Sequence, residues 1–130
     1  MQENMNETAK RLLDALKETT KKTKKFNDDI RTYSAELDEV HEYTNHIIAN
    51  YKREISLVVN EYGKPAFANP DSREGELQHR LDNNEHYESY LNKTKKAKLN
   101  LEVAKGNLYN EMNKRQDIKA EIDLLKIFKE

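Results

Sequence analysis

The 130 residues include no cysteine and no tryptophan, and only three glycines and two prolines. Without cysteine there is no disulfide framework, no thiol nucleophile and no cysteine-based zinc site. Apolar residues are also scarce: 35% of the chain is hydrophobic and 36% is charged, against about 45–50% and about 25% in an ordinary globular domain. A thick single core is therefore excluded. No apolar run approaches the roughly 20 residues of a membrane span, and the polar start MQENMNETAK has none of the features of a signal peptide. These absences lead to the expectation of a soluble, cytoplasmic protein of one domain, spanning 1–130, with no membrane partner.

What remains is a long periodic pattern. Met5, Leu12, Thr19, Phe26, Tyr33, Val40 and Ile47 fall seven apart, and Ala9, Leu16, Thr23, Ile30, Leu37, Thr44, Tyr51 and Val58 interleave with them. This 4-3 spacing is that of a coiled-coil seam, sustained far beyond the three or four heptads that identify one. It predicts a first helix over about 5–62, opened by a capping box of Asn4 and Glu7. Gly63-Lys64-Pro65 stops it, with the β-rich stretch 55–59 its weakest part.

A turn over 63–69 follows, and Asn69-Pro70 reads as an N-cap with proline at the first helical position; Asp71 and Glu74 offer a capping box beside it. A second helix is predicted over about 70–128. Its seam is Tyr87, Thr94, Leu101, Leu108, Arg115 and Ile122, with Tyr90, Ala97, Ala104, Glu111, Ile118 and Leu125 between them. Leu77 and Leu81 precede this seam with a small phase shift, and Leu91 and Met112 are expected to widen it. Two helices of similar length joined by a short turn fold most simply as an antiparallel hairpin. The expected fold is therefore all-α, a long two-helix coiled coil. Thr19, Thr23, Thr44 and Arg115 add little burial to its thin seam, so self-association into a helical bundle, as a homo-oligomer, is expected. Tyrosine–aliphatic pairs four residues apart, such as Tyr33 and Leu37, place the tyrosines in the seam.

Charge is divided along the chain. Residues 1–34 hold 8 basic and 6 acidic side chains, residues 35–62 hold 2 and 6, residues 63–92 hold 3 and 6, and residues 93–130 hold 10 and 6. Folding at the turn sets acidic beside acidic and basic beside basic. The positive charge concentrates in Lys21, Lys22, Lys24 and Lys25 and in Lys93, Lys95, Lys96 and Lys98. Phosphate contact by these lysines is one reading, a nucleic-acid accessory role; a solvated helix face, with the second run against the Glu36–Glu39 region, is the other.

Catalytic patterns are missing. His41 and His46 stand five apart, about 140° around a helix, so they do not share a metal as an i, i+4 pair does. Only Glu76-Leu77-Gln78-His79 has the Glu-x-x-His spacing of four-helix metal sites. No phosphate loop, nucleophile elbow or Cys/His pair is present. The expectation is a protein that is not an enzyme, with no catalytic residue, no metal and no cofactor.

The most individual segment is Gly63-Lys64-Pro65-Ala66-Phe67-Ala68-Asn69, followed by Arg73, Glu76-Leu77, Arg80-Leu81, Asn84 and Tyr87. This GKPxFxN turn with its RxxELxxRLxxNxxY helix resembles a group of small coiled-coil proteins encoded by bacteriophages and prophages, over residues 60–130. The resemblance implies a phage-type protein of the host cytoplasm acting in replication, recombination or host takeover, and it brings no catalytic residues. Physically, Gly63 suits a positive φ, Pro65 stiffens the loop, Phe67 folds back as a plug, and Asn69 caps. Gly63, Lys64, Pro65, Phe67 and Asn69 are accordingly the candidate interaction tip. The leading expectation is an adaptor that binds a host or phage protein; a phage scaffold and a secreted helical-hairpin partner are the remaining readings.

Overall fold

The computed structural model describes residues 2–129. The chain is all-helical: α1 spans Gln2–Leu57, α2 Pro70–Asp82 and α3 Glu85–Lys129. Among the described residues the one extended feature is an isolated bridge between Val59 and Pro65, and no helix is long and apolar enough to cross a membrane. The chain divides into two compact units. Unit 1 joins the residues up to Tyr33 with those from Leu99 onward, and unit 2 is Ser34–Lys98.

Every heptad position named above on α1 is buried or half-buried, and so is every one on α3. Unit 2 holds an apolar cluster. Ile55, Leu77 and Leu81 form a buried cluster, with Ile47, Ile48, Tyr51, Phe67 and Tyr87 packed around it. Cross-contacts fix the direction of its helices. Tyr43 stacks on Tyr90 with ring centroids 4.9 Å apart, Asn84 donates to the Tyr51 hydroxyl at 2.7 Å, and Arg80 reaches Glu54 at 3.3 Å. Each step up α1 is matched by a step down α3 and α2, so the packing is antiparallel.

Unit 1 has a more polar seam. Leu12, Ala104 and Ile118 are buried, but so are Thr19 and Glu111. Its first and last turns frame an open groove of about 550 Å³, with Met5, Ala9 and Leu13 of α1 facing Ile122, Leu125 and Phe128 of α3. An antiparallel heptad register that seats Ala9 beside Leu125 sets Thr19 level with Arg115 and Thr23 level with Glu111. Thr19 satisfies its hydroxyl by donating to the Leu16 carbonyl at 2.8 Å. Thr23 Oγ1, Glu111 Oε1 and Arg115 Nε are buried with no hydrogen-bond partner. The expectation that the threonines add little burial is corrected here: Thr19 is 1% exposed, and Thr44 is buried as well, because each hydroxyl bonds its own helix and leaves only a methyl to pack.

Several boundaries differ from the periodic reading. Asn4 lies inside α1 rather than capping it, its carbonyl accepting from Thr8 Oγ1 at 2.7 Å. α1 ends at Leu57 rather than 62, because Val59 enters the extended bridge that β-branched residues favour. The expected single helix over 70–128 is two. Asn83 closes α2, its backbone N–H donating to the His79 carbonyl at 3.3 Å while the Asn84 N–H donates to the Leu81 carbonyl at 3.1 Å, and the Asn84 side chain accepts from the Tyr87 N–H at 3.0 Å, opening α3. At the start of α2 the capping box is Asn69 with Ser72, not Asp71 with Glu74. Leu91 and Met112 are exposed rather than seam-widening, and Tyr43, Tyr62 and Tyr109 also face solvent.

Candidate functional site

The segment between α1 and α2 is short, exposed and held by local hydrogen bonds. Asn60 N–H donates to the Lys64 carbonyl at 2.8 Å, Gly63 N–H to the Asn60 carbonyl at 3.0 Å, and Ala66 N–H to the Val58 carbonyl at 2.9 Å. Asn60 Oδ1 accepts from Tyr62 N–H at 2.9 Å and from Lys64 N–H at 3.1 Å. Gly63 takes φ +74°, the one positive φ among the described residues, which the turn requires and which any side chain would strain. Pro65 stands in the bridge opposite Val59, a place where its missing N–H costs nothing because neighbouring residues carry the bonds.

The loop is also tied to the core beneath it. Phe67 is half-buried against Ile55, Leu77 and Leu81, the plug that the turn sequence suggests. Arg73 donates from Nη1 to the Phe67 and Ala68 carbonyls at 3.5 and 3.4 Å. Asn69 accepts from Ser72 N–H at 2.8 Å, and the Ser72 hydroxyl stands 3.4 Å from the Asn69 N–H. Of the five candidate tip residues, Gly63, Pro65, Phe67 and Asn69 therefore build the turn, and all but Phe67 are exposed.

What the turn displays was not among those candidates. Leu57, Val59 and Tyr62 are 72%, 58% and 78% exposed. Three large apolar side chains thus stand in water on a backbone that is locked in place. The signal for them lay in the β-rich run 55–59 together with Tyr62, once the helix is ended at Leu57. Asn60 was also missed. Its role is readable only as an Asx-type turn, in which a short amide side chain bonds backbone two residues on. Replacing Asn60 with alanine removes two hydrogen bonds. The expected loss is about 1–2 kcal/mol of local protection, seen as faster hydrogen exchange at the Tyr62 and Lys64 amides with the helical amides unchanged.

The helix motif after the turn is absorbed by structure. Glu76 accepts from Arg80 at 2.9 Å while Arg80 also reaches Glu54. Leu77 and Leu81 are core, Asn84 bonds Tyr51, and Tyr87 packs on the cluster.

The lysine runs fall in different units: Lys21, Lys22, Lys24 and Lys25 in unit 1, and Lys93, Lys95, Lys96 and Lys98 in unit 2. All are exposed except Lys22, which is half-buried. Lys93 lies over the Tyr90 ring at 5.2 Å rather than against the Glu36–Glu39 region. All four histidines are exposed, and no group of three or more His, Asp or Glu able to hold a metal is found among the described residues.

No protein-family model, no curated protein and no solved structure matches the chain.

Proposed function

We propose that this chain is a non-enzymatic helical interaction protein that binds a protein partner through the turn between α1 and α2. One observation carries the reading: Leu57, Val59 and Tyr62 are held exposed on a hydrogen-bonded turn. Folding alone does not account for them, since burial of each is worth about 1.5–3 kcal/mol that the chain forgoes. A rigid loop bearing an aromatic and two aliphatic side chains has the makings of a binding hot spot: tyrosine is a favoured anchor, and little ordering entropy is lost on binding. The matching partner surface is an apolar groove. The likeness of residues 60–130 to phage and prophage coiled-coil proteins suggests a host or phage protein of replication, recombination or takeover as that partner.

The test compares affinity purification with the wild-type chain and with a Val59→Ser/Tyr62→Ala variant, both after nuclease treatment. A protein retained by the first and lost by the second, at equal helicity, is the expected result. Identical protein sets from both baits overturn the tip as the binding site. Capture that vanishes on nuclease treatment moves the reading to nucleic acid and to the lysines.

A further inference from the structure

α3 carries apolar side chains on two opposite faces. Leu108 belongs to the seam with α1, whereas Leu99, nine residues earlier, points about 180° away on a helix of 3.6 residues per turn. Within unit 1 this outer face begins with Leu99 and Val103 and ends with Leu124 and Ile127, each more than half exposed. Between them the 4-3 spacing continues through Gly106, Asn110, Asn113, Asp117 and Ala120, all exposed. Here, then, is a second heptad stripe with nothing seated on it. α1 has no counterpart: its exposed large apolar side chains are the scattered Leu13, Tyr43 and Leu57.

We propose that this stripe pairs with the same stripe of a second copy, α3 antiparallel to α3 about a two-fold axis between Asn110 and Asn113. A two-fold interface requires a surface complementary to itself when reversed, and this one is. With Asn110 beside the second copy's Asn113, the heptad register sets Gly106 against Asp117, Val103 against Ala120 and Leu99 against Leu124. Large side chains meet at both ends, a small residue accepts Val103, and amides face amides at the centre. A polar central layer of this kind fixes register at a cost in affinity. The parallel alternative superposes Asp117 on its own copy, carboxylate on carboxylate, with no cation in the stripe. Gly106 fits the same picture: a Cβ there meets nothing within 4 Å, so no close approach inside the chain asks for a helix-weakening glycine.

The paired stretch runs about 38 Å from Leu99 to Leu124 at 1.5 Å per residue, with Ile127 just beyond it. Two helices in contact over that length bury on the order of 1,200 Å² in total, the lower end of stable specific interfaces. The pairing uses a surface apart from the tip and stands or falls independently of it.

Sedimentation equilibrium of the full chain at micromolar concentrations is expected to give a dimer. Leu99→Glu with Leu124→Glu is expected to weaken it roughly tenfold or more with unchanged helical circular dichroism, while Tyr62→Ala leaves it intact. Orientation is read on a chain that has no native cysteine. Single spin labels at Lys114→Cys lie near the axis and are expected within about 20 Å of each other. Labels at Lys126→Cys are expected about 40–45 Å apart, from the helical rise over their distance from the axis. A monomer at all concentrations, a dimer indifferent to the double glutamate variant, or short distances at both labelled sites overturns the proposal.

Discussion

Truncation of Leu81 to alanine is expected to lower the unfolding free energy by about 2–5 kcal/mol, the range for removing a buried leucine from a packed site. Leu81 is 5% exposed and meets Ile55 and Leu77 within the buried cluster of unit 2. Around the cluster lie Tyr51, Phe67 and Tyr87, so it joins side chains of all three helices and of the loop between α1 and α2. Rigid neighbours on several sides leave a cavity that cannot close. Urea unfolding followed by circular dichroism measures the loss, and hydrogen exchange locates it. The amides of the turn are expected to lose protection with those of α2, because Phe67 rests on the same cluster. A loss below about 1 kcal/mol would mean that the site collapses around the gap and that the cluster is not the anchor of this unit.

The second large effect has the opposite sign. Replacing Glu111 and Arg115 together with leucine is expected to raise stability by about 1–4 kcal/mol, the range when buried charged groups give way to apolar ones. The reason is specific. Glu111 is 8% exposed, and Glu111 Oε1, Arg115 Nε and Thr23 Oγ1 are buried without partners. Each such group costs about 1–3 kcal/mol of desolvation that no bond returns. On the heptad register the two leucines would sit level with Thr23 and Thr19, whose methyl groups can pack against them. Thermal and urea melts of the double variant check the gain. A fall in stability would show that these groups are paired in solution. A polar pair of layers between the apolar layers of Ile118 and Leu108 also marks one register as the right one, as buried polar residues do in coiled coils. The double variant is therefore expected to tolerate a slipped register that the wild type rejects.

Much of this is legible in the sequence. The two interleaved heptad series put every one of their members on the packed side, because a helix seam is a purely periodic property and 4-3 spacing has no strand-like alternative. The Asn69-Pro70 start and the positive φ of Gly63 were readable for the same local reason. The end of α1 was not, since Gly63 and Pro65 announce a stop without saying how many residues before them are already extended. It is Asn60, through its side-chain amide, that turns the chain early. The break at Asn83-Asn84 had no glycine or proline to mark it. Its trace in the sequence was the phase slip between Leu77 and Leu81 and the seam beginning at Tyr87. The displayed side chains at the turn were illegible for a related reason: Leu57, Val59 and Tyr62 continue an apolar pattern, and only the early end of the helix puts them in water. Residues of the motif that follows the turn, in contrast, were visible at once, and the contacts of Arg73, Glu76, Arg80 and Asn84 explain their order as bracing of this unit.

The antiparallel pairing has a consequence for the order in which the chain folds. Arg80 meets Glu54 across 26 residues and Asn84 meets Tyr51 across 33, whereas Ala9 and Leu125 come from opposite ends of the chain. Joining distant segments loses more entropy than joining near ones, and that loss shrinks once the intervening stretch is compact. Folding is therefore expected to start beside the turn and to close outward. A peptide of residues 34–98 holds the early contacts, while the seam of unit 1, with its orphaned groups, is expected to close later and to open first.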